Sequence, residues 1–240
     1  MRSLAPLATM ALAALAAADC RAEQALADGG TDLYFLVFLR PDPGRKHIEP
    51  AEGERIQAAH MANIKKMADE GILVAAGPME DRPTTISGIF VFKAPSLAEA
   101  RSIAGKDPTV TEKRNTVDVH PWLGPKGIGA AYSQWKKEHP GAEDAMAAHV
   151  LCILRRGPAW TGGPRAGDEH AAFVDSLRRS GLLAAAGVID GDPDLCAICV
   201  FKTDLVDEAK RAIEKDPAVG AGRMAAEFHR WWTADRVLPW

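Results

Sequence analysis

This chain has little of what several protein classes require. Only four of its 240 residues are cysteine, and Cys20 lies in the N-terminal stretch. Cys152, Cys196 and Cys199 remain, too few and odd in number for a disulfide framework. A net charge of -3, from 29 basic and 32 acidic residues, comes without a basic cluster. Phosphate binding needs clustered Lys and Arg, so no nucleic-acid partner is expected. The first residues aside, no run is long and apolar enough to span a bilayer. Short metal-ligand spacings such as HExxH are missing too, and no metal site is expected. "CAIC", residues 196–199, lies in a stretch that reads as a strand, where residues three apart face opposite ways. Cys152 is the better disulfide partner for either cysteine, if their strands are adjacent and the compartment is oxidising.

What is present begins with "MRSLAPLATMALAALAAADCRAEQ": one Arg, an uncharged Ala/Leu run, then small residues. This reads as a signal peptide over residues 1–22, which implies an exported, periplasmic or secreted protein with no stable membrane insertion after processing.

The rest repeats. His60 corresponds to His170 at an offset of 110 (170 minus 60), as do Gly71 and Gly181, and Gly77 and Gly187. After one lost residue the offset becomes 109 (216 minus 107). It relates Asp107-Pro108 to Asp216-Pro217, His120 to His229, and Trp122 to Trp231. Each copy reads as strand, amphipathic helix, two strands around a turn, a short helix ended by the Pro, and a last strand. That order, βαββαβ, is ferredoxin-like, with helices on one sheet face. Stacking the two sheets covers the other face, so the expected fold is an intramolecular dimeric α+β barrel. The units span residues 33–123 and 148–240, joined by a Gly-, Pro- and charge-rich linker, 124–147. Two ferredoxin-like domains without a shared core are the alternative.

A helical His, a Gly closing the second strand (Gly77-Pro78, Gly187), and Asp-Pro after the second helix, in this order, resemble the YCII-related domain family. The resemblance covers residues 33–123 and 148–232. It implies a dimeric α+β barrel and an active site with a His and an Asp in each unit. Some members are similar to enzymes that remove chloride from chlorinated hydroxyquinones. The sequence departs from the pattern at Val188, where the first copy has Pro78.

His60 and His170 are the candidate acid–base groups, because an unperturbed imidazole titrates nearest neutrality. Each lies four residues before an apolar position, Ile64 or Val174, beside the sheet-facing stripe; a core histidine satisfied by a carbonyl is the plainer alternative. Asp107 and Asp216 are candidate orienting carboxylates, and equally good helix exits before Pro. His120 with Trp122, and His229 with Trp231, share a strand face and are candidate pocket walls or interface packing. Arg55 and Arg165, five residues before each His, are candidate anion binders or solvated charges. A helical His could also ligate a haem, which the barrel architecture hosts in other families.

The expected function is thus an exported small-molecule enzyme of lyase or acid–base type, without an organic cofactor. His60, Asp107, His170 and Asp216 would be catalytic, and Arg55, Gly77, Pro78, His120, Trp122, Arg165, Gly187, His229 and Trp231 would line an apolar pocket. The alternative is a non-catalytic ligand-binding or assembly module. A small molecule is the expected partner in either case, and self-association into a homo-oligomer stays open.

Overall fold

The computed structural model describes residues 30–80, 85–160 and 167–240. The signal segment and Arg165 lie outside them. The first unit runs β1 (Thr31–Pro41), α1 (Pro50–Asp69), β2 (Leu73–Pro78), β3 (Gly88–Phe92), α2 (Leu97–Gly105), α3 (Pro108–Thr111) and β4 (Asn115–Pro125). Helix α4 (Ala130–Glu138) follows. The second unit runs β5 (Met146–Arg156), α5 (Asp168–Arg179), β6 (Leu183–Ile189), β7 (Leu195–Phe201), α6 (Val206–Ile213), α7 (Pro217–Gly220) and β8 (Met224–Ala234).

The strands form one antiparallel sheet in the order β2-β3-β1-β4-β6-β7-β5-β8, two ferredoxin-like sets joined at β4 and β6. At that join Trp122 faces Ile189 and Leu123 faces Val188. The two ends of the sheet also meet: Met79 bridges Trp231, and the Glu80 N–H donates to the Arg230 carbonyl at 2.9 Å. The sheet is therefore closed into a barrel, in which the edges of β2 and β8 meet.

Period-2 alternation explains why β1 is buried along most of its length. Tyr34, Leu36 and Phe38 point into a core shared by both units, and Phe35, Val37 and Leu39 point into the layer under the helices. In the second unit Leu151 and Ile153 enter the shared core, while Val150, Cys152 and Leu154 face the helices. With residues of both units in one core, the arrangement of two separate domains is ruled out.

Helix α1 starts with Pro50 in its first turn, buries Ile56 and Met67, and is followed by Gly71 at φ +72°. Gly181 follows α5 at φ +77°, a left-handed conformation that costs a glycine least. Pro108 and Pro217 do not act as the sequence suggests. Helix α2 has already ended at Gly105, and Pro108 opens the next helix, with Asp107 as its N-cap. Asp216 and Pro217 do the same for α7. Proline suits the first helical turn because its missing N–H would have no partner there.

The expected connector also packs. Ile128 is 1% exposed in the shared core, its N–H donates to the Tyr34 hydroxyl at 3.2 Å, and the Gly129 N–H donates to the Val237 carbonyl at 2.7 Å. Val237, at the 109 offset from Ile128, enters the same core.

Candidate functional site: a buried histidine–aspartate pair in each unit

Helix α1 carries His60 over the sheet, and the α2–α3 junction brings Asp107 beneath it. His60 Nδ1 lies 2.9 Å from Asp107 Oδ1 and 2.8 Å from Oδ2. The Asp107 side chain is wholly buried and that of His60 is 13% exposed. Three further donors converge on the carboxylate. The Thr109 N–H and hydroxyl donate to Oδ1 at 2.9 and 2.6 Å, and Asn63 Nδ2 donates to Oδ2 at 3.0 Å. The first of these is the N-cap bond that fixes the Asp rotamer.

Burial would push the Asp107 carboxyl up, but hydrogen bonds from His60, Thr109 and Asn63 and the charge of a protonated His60 outweigh it. The group lies below the ordinary aspartate range and is ionised at neutral pH. A carboxylate can only accept, so a neutral His60 must carry its proton on Nδ1 and present a lone pair at Nε2. No hydrogen-bond partner of Nε2 is found among the described residues. Phe90 stacks against the ring, 5.8 Å between centroids at 28°.

In the second unit His170 Nδ1 lies 2.5 Å from Asp216 Oδ2, and the Ala218 N–H caps Oδ1 at 2.9 Å. Asp216 is wholly buried and His170 is 12% exposed. The other donors have been replaced: Phe173 stands at the position of Asn63 (offset 110), and Ala218 at that of Thr109 (offset 109). Cys199 takes the place of Phe90.

The remaining candidates are not gathered around these pairs. Trp122 and Trp231 lie in the shared core, on the opposite side of the sheet from His60, whose neighbour Phe90 belongs to the helix-covered layer. His120 and His229 share a strand face with these tryptophans, as i and i+2 require, and His120 packs on Phe38 of the same core. The pocket of His, Asp and Trp drawn from sequence is therefore split by the sheet. His120 has a carboxylate near each ring nitrogen. Nδ1 lies 2.8 Å from Asp192 of the second unit, and Nε2 lies 2.9 Å from Asp118, an ion-pair contact without an aligned hydrogen bond. His229 Nε2 is hydrogen-bonded to Glu227 Oε1 at 2.8 Å.

Gly77 and Gly187 stand at the two joins between units. A Cβ on Gly77 would lie 1.7 Å from the Trp232 carbonyl oxygen, and one on Gly187 2.2 Å from that of Leu123. Each is also close to an indole nitrogen of the other unit, Trp231 Nε1 or Trp122 Nε1. These glycines let the strands approach. Pro78 ends β2 opposite Gly88, exposed. Arg55 is 55% exposed and tied to Glu52 and Glu112 at 2.7 and 2.9 Å. It is a surface ion pair, and its charge is already matched.

Cys152 and Cys199 do face each other across adjacent strands, yet all three thiols are free. Burial pushes the Cys199 thiol up to about 12 and that of Cys196 up to about 11, so they behave as small hydrophobes. No cluster of three metal-ligating side chains occurs among the described residues. Phe35, Phe90, Phe92 and Met67, each 4% exposed or less, fill the layer beside His60.

Asn63, Thr109, Asp118 and Asp192 were not evident from the sequence as partners of the histidines. A signal for two of them was available: Asn63 and Thr109 are polar where the other copy has Phe173 and Ala218.

Residues 34–123 match the family model of the YCII-related domain. No curated protein matches the sequence. The fold is that of chlorite dismutase from Candidatus Nitrospira defluvii. An arginine-to-lysine mutant of that enzyme superposes with a TM-score of 0.54 at 11% identity, over 90% of this chain and 95% of that one. A tryptophan-to-phenylalanine mutant in complex with cyanide gives 0.54 at 12%, over the same shares. At such identity the likeness shows the dimeric α+β barrel and nothing of the chemistry.

Proposed function

We propose that this protein is an acid–base enzyme acting on a small molecule, with His60 as proton acceptor through Nε2 and Asp107 as the carboxylate that orients it. His170 and Asp216 form the corresponding pair. One observation carries the reading: a buried, ionised Asp107 holds Nδ1, and this leaves Nε2 as the ring nitrogen able to take a proton. The carboxylate selects the tautomer and stabilises the imidazolium that forms, as in other His–Asp pairs. Proton removal from an activated carbon or hydroxyl then needs no organic cofactor. The N-terminal segment 1–22 supports export, which a fractionation of expressing cells would check.

The test is 15N NMR of the imidazoles in the signal-free chain. Neutral His60 is expected as the Nδ1–H tautomer, and Asp107→Asn should remove that preference. A His60 whose tautomer is the same in both proteins would overturn the assignment and favour a binding or assembly module. Chloride release from a chlorinated hydroxyquinone is the first activity to assay, with His60→Gln as the control.

A further inference from the structure

The two pairs are alike in residues and different in support. We infer that Asn63 and Thr109 are positioning residues that specialise the first unit for proton transfer, while the second unit, with Phe173 and Ala218 in their places, keeps its pair as a structural tie. The inference rests on the acid–base reading of His60 and Asp107.

Asp107 accepts from four donors, distributed over both oxygens: Thr109 N–H and Oγ1 on Oδ1, Asn63 on Oδ2, and His60 Nδ1 in contact with both. A carboxylate has about four acceptor sites, so this one is filled. Its orientation cannot drift, and its charge is spread over fixed dipoles as well as over the imidazole. During proton transfer the substrate X–H bond breaks, Nε2–H forms, and the electron pair stays on X. The Nδ1 proton remains where it is, because a carboxylate already stabilised by three other donors has little to gain by taking it. Preorganised donors of this kind cost no rearrangement at the moment of reaction.

Among the described residues Asp216 accepts from two donors, His170 Nδ1 on Oδ2 and the Ala218 N–H on Oδ1. The place of Asn63 belongs to Phe173, which packs against the apolar layer under α5. With fewer donors on its oxygens, Asp216 meets His170 Nδ1 in a single contact of 2.5 Å through Oδ2. That contact ties α5 to the α6–α7 junction and is less suited to holding the charge apart. Asp118, Asp192 and Glu227 serve His120 and His229, whereas the buried Cys152 and Cys199 thiols are the titratable groups that feel the charge of Asp216.

The experiment exchanges the support. In the full signal-free chain, Asn63→Phe with Thr109→Ala gives the first unit the second unit's residues, and Phe173→Asn with Ala218→Thr does the reverse. Thr109→Ala and Thr109→Ser alone are the milder variants, used whether or not the doubles fold. The readouts are the 13C titration of the Asp107 carboxyl and the rate of carbethoxylation at His60 Nε2 by diethylpyrocarbonate. Thr109→Ala should move the Asp107 titration up towards the ordinary aspartate range and slow His60 modification about tenfold, the factor for loss of one bond to a charged group. Thr109→Ser should restore both, and Phe173→Asn with Ala218→Thr should speed modification of His170. Unchanged readouts in Thr109→Ala, with Asp107→Asn still altering the His60 tautomer, would overturn this inference alone. If Asp107→Asn also left the tautomer unchanged, the acid–base reading itself would fall.

Discussion

Two units of this protein share a fold, an element order and a histidine–aspartate contact, but they treat that contact differently. In the first, Asn63 and the Thr109 hydroxyl complete the carboxylate's hydrogen bonds; in the second, Phe173 and Ala218 leave it with half as many donors. By contrast, the seams between the units are nearly identical on the two sides. Each places a glycine under the backbone of the other unit's last strand, and each packs a buried tryptophan beside it. What was kept in both units is what closes the barrel. What differs lies around the ionisable pair, which the fold does not require to be symmetric.

The seams should give the largest effects, equal in both halves. Gly77→Val and Gly187→Val each force a side chain into a neighbouring backbone carbonyl, and each should cost about 3 kcal/mol or more in urea unfolding. A large loss in one alone would show that the barrel is held mainly by one seam.

The carboxylates come next, and here the halves should part. Asp107→Ala removes an N-cap and leaves Asn63, the Thr109 hydroxyl and His60 without their acceptor, at about 3 kcal/mol. Asp216→Ala removes a cap and one imidazole contact, at about 1 to 2 kcal/mol. Equal losses on denaturant unfolding would mean that the extra donors add nothing to the fold.

Acid should expose the same contrast. A carboxyl held below its unfolded value stabilises the fold above that value, about 3.9 for aspartate, and the contribution is lost as pH falls through the folded value. Asp107 is such a group, as are Asp118, through its contact with His120, and Glu227, where hydrogen bonds from Arg155 and His229 outweigh burial. Thermal unfolding should therefore weaken below about pH 4, and Asp107→Asn should flatten that part of the curve. An unchanged slope would remove Asp107 from the acid response.

The smallest effect is expected at Arg55. Its exposed ion pairs with Glu52 and Glu112 are screened by solvent, so Arg55→Ala should leave the unfolding midpoint nearly unmoved and the His60 tautomer as it was. A change in tautomer would bring Arg55 back into the site.

Much of this was legible in the sequence. The offsets of 110 and 109 define the two units, the hydrophobic periods define βαββαβ, and the doublets His60/Asp107 and His170/Asp216 stand out in residue order alone. The functions of Gly77, Gly187, Trp122 and Trp231 were not legible. A glycine or tryptophan beside a candidate site suits a ligand pocket as well as a barrel seam, and only the facing strand decides between them. Asp-Pro was likewise ambiguous: it reads as the end of one helix, whereas the side chain of Asp107 begins another.

The sequence by itself determined the repeat, the alternation that buries both faces of β1 and β5, and which ionisable residues occur twice. These follow from local periodicity and chain order, which need no knowledge of distant partners. Only the tertiary structure decided that His60 meets Asp107 across 47 positions of chain, that the sheet separates this pair from Trp122, and that His120 of one unit is held by Asp192 of the other. Those contacts are set by how helices settle on a twisted sheet and how two sheets close. Hydrogen-bond geometry is decided within tenths of an ångström, a scale that residue order does not encode.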